Sequence, residues 1–426
     1  MELVTIVFLV LLFLGMPVGF AVGIAGATFF LQHPELPLIT MVQLPISQTQ
    51  NVTLLAVPLF IFAGTLMNAS GITRRMVKLA MLLAGHMRGG MAQVSVVLST
   101  LMGGCSGSTN ADAAMEARIL GPEMERQGYP KAFTAVVIGF TALITSTIPP
   151  GIGMILYGTV GQVSIGRLFA AGLTSGLILM GTLMIGVAIM SRIRHFPRGR
   201  EQRATIRDIL GSLKETIWAL IFPFVLLGSL RIGIFTPAEV GGLACVYAIV
   251  IGFFVYKDLT VKSLITTLLE SVRDIGGIMY MIAMSAIFGY GIPIDKVPAR
   301  ISALITGFTG STFLTMAIVI GILILFGMFM DGAIVIILVT PILLPLVEAV
   351  GVNPVLFGII TTVVVTMGVL TPPFGIAMYV VNGILGSKLE DYLRESIPFI
   401  FVILVTVFIY LVFPKIILAA PNLLYG

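Results

Sequence analysis

Long apolar runs alternate along the chain with short polar or basic stretches, and several runs are broken in mid-course by Gly, Pro or Ser/Thr clusters. The first run, 3–32, is interrupted at Gly15-Met16-Pro17, which predicts two short segments, 3–15 and 17–32. A nearly uncharged stretch, 33–51, carries Pro34, Pro37 and Pro45 and reads as an arm; a span over 52–69 and a basic amphipathic stretch over 71–89 follow. The region 90–127 predicts a re-entrant hairpin. Its apolar half runs into Gly103-Gly104-Cys105-Ser106-Gly107-Ser108-Thr109-Asn110, and neither half is long enough to cross comfortably. Non-helical backbone at that depth is tolerated only when buried in protein or lining a wet cavity. The run 131–160 contains Thr145-Ser146-Thr147-Ile148-Pro149-Pro150-Gly151 and predicts a broken helix. A clean span over 166–191 closes the first half.

The plan returns 223 residues later: Gly104 falls on Gly327, Pro122 on Pro345, Gly128 on Gly351, Pro149-Pro150 on Pro372-Pro373, and Ser108 on Asp331. This predicts a second hairpin over 311–350 and a second broken helix over 354–380. The tip 105–110 is expected to face the break 145–151, and the tip 327–332 the break 366–374. The segment 192–215 reads as a basic linker between halves, with Arg192, Arg194, Arg198, Arg200, Arg203, Arg207 and Lys214.

Composition fixes the class. The chain of 426 residues is 58% apolar and 10% charged, against about 45–50% and about 25% in soluble domains. A water-soluble enzyme, a disordered chain and a nucleic-acid binder are excluded, and a polytopic membrane protein with about ten to fourteen spans remains. Two cysteines and three scattered histidines favour neither a disulfide framework nor a transition-metal site. Met1-Glu2 opens directly on an apolar run, with no basic leader and no cleavage site. Gly-Lys never occurs and H-E-x-x-H is absent, so neither a P-loop nor a zinc-protease helix is present.

Charge placement gives sidedness. With 192–215 cytoplasmic by the positive-inside rule, 71–89 and 257–274 fall inside as well, 33–51 and 293–311 fall outside, and both termini are periplasmic. Of the 24 Lys and Arg, 19 then lie on the cytoplasmic side. The bias swaps between matching elements, as two copies of opposite orientation require. The expected fold is therefore an all-α polytopic membrane protein of two inverted-topology repeats. Its boundaries are 1–89, 90–191, the linker 192–215, 216–310 and 311–426.

Broken helices expose carbonyls at one half's C-terminal end and N–H groups at the other's N-terminal end, which attract cations and anions respectively. Around the tips stand hard oxygen groups: Ser108, Thr109, Asn110, Asp331, Thr145 and Thr371, suited to Na⁺. Asp331, ionisable in the middle of an apolar run, is the foremost candidate. Asp112 reads as a site residue, a helix cap or a partner of Arg118.

These residues resemble a known family. The tip Gly103 to Asp112, the opening Gly15-Met16-Pro17-Val18-Gly19, the run Pro58-Leu59-Phe60-Ile61, the breaks Ile148-Pro149-Pro150-Gly151 and Thr371-Pro372-Pro373-Phe374-Gly375, and Phe329-Met330-Asp331 are similar to the large membrane subunit of tripartite ATP-independent periplasmic (TRAP) transporters. The resemblance implies Na⁺-coupled import of a carboxylate across the bacterial inner membrane, with no nucleotide. It implies an elevator-type architecture, with scaffold formed by the first spans and arms of each half and transport domain by the hairpins and broken helices. It implies two partners, a periplasmic substrate-binding protein and a small four-span membrane subunit; with no four spans ahead of Met1, the latter is expected as a separate chain. It implies at least two Na⁺: one at Ser106, Ser108, Asn110 and backbone from Thr145 to Pro149, the other at Gly327, Met328, Asp331, Gly368 and Thr371. Candidates to meet the substrate are Ser108, Thr109, Asp112, Thr147, Gly151 and Pro373. The text looks most similar to the sialic acid members, with a C4-dicarboxylate permease or a stand-alone dicarboxylate carrier as alternatives.

Overall fold

The computed structural model describes residues 1–200, 202–308, 311–373 and 375–426, without side chains at 302 and 305–308. Phe374, at the end of the second expected break, and residues 309–310 of the expected arm 293–311 lie outside the described residues. The described chain is helical throughout, with only one isolated bridge, Arg88 to Arg198.

Among the described residues, eight helices are long and apolar enough to cross a membrane, nine if one bent pair counts as a span. The expected ten to fourteen is thus too high, because the apolar text is divided into further helices too short to cross alone, including Glu2–Phe13 and Val18–Gln32. These two meet the expected pair of short segments around Pro17.

The first hairpin consists of Gly90–Gly103 and Thr109–Ile119. Its limbs of 14 and 11 residues are about 21 and about 16 Å long, well short of the roughly 30 Å hydrocarbon core. The second hairpin, Thr312–Phe329 and Gly332–Ala349, has limbs of 18 residues. Each passes as a span by length, so length marks only the first pair as re-entrant. The first broken helix, Lys131–Thr147 and Ile152–Val160, bends by 47°. The second pair, Pro354–Gly368 and Ile376–Leu385, is parted by a longer break and extends past the expected end at 380.

The repeat governs helix starts. Thr109 and Gly332 open the second hairpin limbs, and Lys131 and Pro354 open the broken helices, each pair 223 positions apart. The N-cap residues follow the same spacing. Ser108 Oγ accepts from Ala111 N–H, and Asp331 Oδ1 accepts from Ala333 N–H, each filling one orphan donor of a helix end. The halves are interleaved: Ile152–Val160 packs on the second hairpin's Gly332–Ala349, and Ile376–Leu385 packs on the first hairpin's Thr109–Ile119. Val18–Gln32 lies along Val261–Ile294, and Ala56–Ala69 along Pro237–Val250.

Two expected boundaries are corrected. The linker does not run to 215, since a Thr205–Asp208 capping box starts a helix at Ile206 that continues to Ile232. The remaining linker is anchored: Gly89 N–H donates to Pro197 O and Arg200 N–H to Gly85 O. The stretch 257–274 is not a separate arm, because Val261–Ile294 is one unbroken helix of 34 residues. Gly276-Gly277 stand where its polar part meets its apolar part, but neither takes a left-handed backbone and no Pro follows directly, so the helix runs on.

Candidate functional site

Each hairpin tip presses on the neighbouring break through glycines. Gly107 has φ 65°, and a Cβ there would lie 2.1 Å from Pro150 O. Its carbonyl accepts from Ile152 N–H, the first residue beyond the break. In the second half, a Cβ on Gly327 would lie 2.7 Å from Val365 O and 3.1 Å from Gly368 Cα. Only glycine permits backbones to approach so closely. The tip 105–110 therefore abuts 148–152, and Gly327 abuts 365–368.

The two halves meet between the tips. Asn110 Nδ2 donates to Asp331 Oδ2 at 3.4 Å. A cavity open to solvent, with about 640 Å³ of atom-free space, lies against this pair, and Ser108, Thr109, Asn110, Ser146, Asp331, Thr362 and Thr366 give its wall polar character. Asp331 uses its oxygens on Ala333 N–H and Asn110, and none of its hydrogen bonds reaches Gly327, Gly368 or Thr371. Those three stand together separately: Thr371 Oγ1 donates to Gly368 O, and Gly368 touches Gly327 and the Met328 amide nitrogen.

Around the first tip, oxygen atoms accumulate without partners. Asp112 is fully buried, and neither carboxylate oxygen lies at hydrogen-bond distance from a partner among the described residues. Thr109 Oγ1 and Asn110 Oδ1 are likewise buried and unpartnered. Ser106 and Thr145 face Asp112; Thr145 Oγ1 gives its proton to Ser99 O, whereas Ser106 Oγ accepts from Ser108 N–H and keeps its own proton to turn toward the carboxylate. Asp112 forms no ion pair with Arg118 among the described residues, and it sits inside the helix rather than capping it. Buried oxygens left without donors cost free energy unless a cation or a proton joins them.

The expected residues divide accordingly. Of the first expected ion set, Ser106 and Thr145 face Asp112, whereas Ser108 and Asn110 line the cavity. Of the six substrate candidates, Ser108 and Thr109 line the cavity, whereas Asp112, Thr147, Gly151 and Pro373 are absent from its wall. Thr147 is turned back on its own helix, donating to Leu143 O. Sequence reasoning overlooked Ser146, Thr362 and Thr366 as wall residues; Ser146 lies between two hydroxyls that were singled out, and the threonines stand one helical turn apart.

It also overlooked the anchor of the first hairpin. Glu116 is fully buried. Ser99 donates to Oε1 and Ser95 to Oε2, each at 2.7 Å, which ties the second limb to the first. Ser95 also shares a hydrogen bond with Thr141 on the broken helix. The only signal in the text is the i, i+4 placement of Asp112 and Glu116, opposite serines spaced i, i+4.

Residues 5–416 match the family model of the tripartite ATP-independent periplasmic transporter, DctM component. The chain belongs to this family. It is a multi-pass membrane permease subunit for solute import, not an enzyme. It is 32% identical over 400 residues to the 2,3-diketo-L-gulonate TRAP transporter large permease protein YiaN of Escherichia coli, covering 93% of this chain and 94% of that protein. It is 32% identical over 403 residues to the C4-dicarboxylate TRAP transporter large permease protein DctM of Pseudomonas aeruginosa, covering 94% of each. It is 32% identical over 419 residues to the sialic acid TRAP transporter permease protein SiaT of Haemophilus influenzae, covering 98% of this chain and 68% of that protein. In fold the TRAP permease resembles the Alcanivorax borkumensis YdaH transporter, with TM-score 0.66 at 13% identity over 89% of this chain and 88% of that one. It also resembles Neisseria gonorrhoeae MtrF, with TM-score 0.55 at 13% identity over 90% and 83%.

Proposed function

We propose that this permease imports an organic carboxylate together with Na⁺ across a bacterial inner membrane, receiving it from a periplasmic binding protein and working with a small membrane subunit. The observation that carries the reading is the cluster of buried, unpartnered oxygens at the first tip: both oxygens of Asp112, Thr109 Oγ1 and Asn110 Oδ1. All four are hard acceptors, the kind of group a small monovalent cation takes as a ligand. Ser106, Ser108, Asn110 and the Thr145–Pro149 backbone frame one Na⁺ position. Gly327, Met328, Gly368 and Thr371 frame a second, with Asp331 set between it and the first tip.

The polar cavity beside Asn110 and Asp331 is the place for the solute's carboxylate. The halves are inverted copies with both termini periplasmic, the Lys- and Arg-rich faces pointing to the cytoplasm. The hairpins and broken helices form the moving body, and the spans and arms of 1–89 and 216–310 form the scaffold, an elevator arrangement. With two Na⁺ per monoanion, one net charge crosses and gains about 2.3 kcal/mol per 100 mV. Sialic acid is the first solute to test and a C4-dicarboxylate the second.

The deciding experiment is uptake by proteoliposomes containing this chain, with and without its small subunit and a binding protein loaded with each acid. Uptake that needs inward Na⁺ and the loaded binding protein supports the reading. Uptake of free acid by this chain alone makes it a self-sufficient dicarboxylate carrier instead.

A further inference from the structure

The helices that close the two halves, Ile165–Ile193 and Leu389–Val412, run antiparallel in a fixed register. Thr182 and Thr406 share a hydrogen bond of 2.7 Å, a Cβ on Gly186 would lie 2.8 Å from Val402 Cγ2, and Arg194 Nη1 donates to Glu395 Oε1 at 2.7 Å. Beside this seam runs an almost wholly apolar groove with about 970 Å³ of atom-free space, including Ile185, Ile189, Met190, Phe401 and Val405. On the closing helix it extends from Pro398 to Ile409, about 16 Å at 1.5 Å per residue. That is about half of a 30 Å hydrocarbon core, the depth of one leaflet.

One helical turn beyond Pro398 the surface changes character. A second depression is lined by Lys131, Lys388, Asp391, Arg394 and Glu395. Lys131 has only a loose ion pair with Glu125, at 3.8 Å. Lys388, Asp391 and Arg394 make no ion pair with any described residue, and Glu395 Oε2 is buried without a partner while its other oxygen holds Arg194. The groove and the charged depression lie on successive turns of one helix: 391, 394 and 395, then 398, 401, 402, 405 and 409.

We infer that this face binds one membrane phospholipid with a zwitterionic, amine-bearing head. One acyl chain fills the groove, the phosphate meets Lys388 and Arg394, and the ammonium meets the exposed, unpaired Asp391. Arginine and lysine are the natural partners of a phosphodiester, and basic depressions between membrane helices collect lipid heads. Asp391 decides the head: a lipid without an amine leaves this carboxylate unmatched and brings its phosphate charge close to it. Contact with both closing helices would make the lipid travel with them.

The test is lipid retention by the purified permease after exchange into mixed micelles of phosphatidylethanolamine and phosphatidylglycerol with matched acyl chains, read by native mass spectrometry. The wild type retains phosphatidylethanolamine at least about tenfold over phosphatidylglycerol, a difference of 1.4 kcal/mol; Asp391→Asn loses that excess, and K388Q/R394Q lowers retention of both lipids. Val405→Trp, which fills the groove and leaves the charged depression intact, likewise lowers retention of both lipids and stands in if the double variant fails to assemble. Equal retention of the two lipids by the wild type, or undiminished phosphatidylethanolamine in properly folded variants, overturns the proposal.

Discussion

Asn110 Nδ2 donates to Asp331 Oδ2 at 3.4 Å, linking residues 221 positions apart, one at each hairpin turn. Asp331 also caps its own helix through Ala333 N–H. The carboxylate thus has a local task and a long-range one, and substitutions separate them. Asp331→Asn keeps a good N-cap and removes the charge. The permease should assemble normally yet lose at least about tenfold in Na⁺-dependent uptake, about 1.4 kcal/mol in the transition state. An uptake curve unchanged across a Na⁺ titration would falsify a role for Asp331 in coupling. A double-mutant cycle with Asn110→Ala measures how much of the loss belongs to the pair.

Ser108 occupies the matching cap of the first hairpin and lines the cavity. Ser108→Ala should raise the Na⁺ concentration for half-maximal uptake several-fold and destabilise the helix 109–119 by about 1 kcal/mol. Ser108→Asn retains the cap, so a raised Na⁺ requirement in both variants assigns the effect to the hydroxyl. An unaltered requirement in Ser108→Ala removes this residue from the ion site.

Glu116 is the buried fastener of the first hairpin, held by Ser95 and Ser99. Removing it leaves both hydroxyls without their acceptor, at about 1–3 kcal/mol for each group that finds no substitute. Glu116→Ala should lower the midpoint of thermal unfolding in detergent, and Glu116→Gln should recover part of the loss. A midpoint equal to the wild type in Glu116→Ala would show that the hairpin closes without it.

Gly107 combines a positive φ of 65° with a projected Cβ contact of 2.1 Å to Pro150 O. Gly107→Ala must shift the tip away from the break, with a conformational cost of about 1–2 kcal/mol before any steric term. The expected outcome is a chain that inserts but neither transports nor binds Na⁺ with wild-type affinity, read by uptake and by Na⁺-dependent thermal shift. Wild-type behaviour in both assays would mean that the tip does not depend on this close approach.

Inverted orientation is tested by labelling. Cysteines introduced at Gln48 and at Lys262 should react with a membrane-impermeant maleimide from opposite faces. Labelling from the same face would refute the swap of charge bias between halves.

Much of this was legible in the text, for a physical reason. In lipid every backbone group must be satisfied within its segment, so apolar run lengths and Gly/Pro interruptions report helices and their ends directly. The breaks at Pro17 and at Pro149-Pro150, the tip at 103–110 and the spacing of 223 all correspond to helix boundaries. Other boundaries were hidden. Thr205 and Asp208 start a helix inside an otherwise polar linker, and no residue ends the helix 261–294 where its composition changes.

Composition, periodicity and duplication therefore determined that the chain is a helical membrane protein with paired irregular turns, because each of these depends on neighbours in sequence. Only the tertiary structure decided which oxygens stand together. It placed Asp331 against Asn110, left Asp112 buried without a partner, and set Glu116 between two serines. These relations join residues of different segments, and the rotation of each helix about its axis, which decides whether a side chain faces the cavity, a serine or its own backbone, is settled by packing against helices distant in the chain.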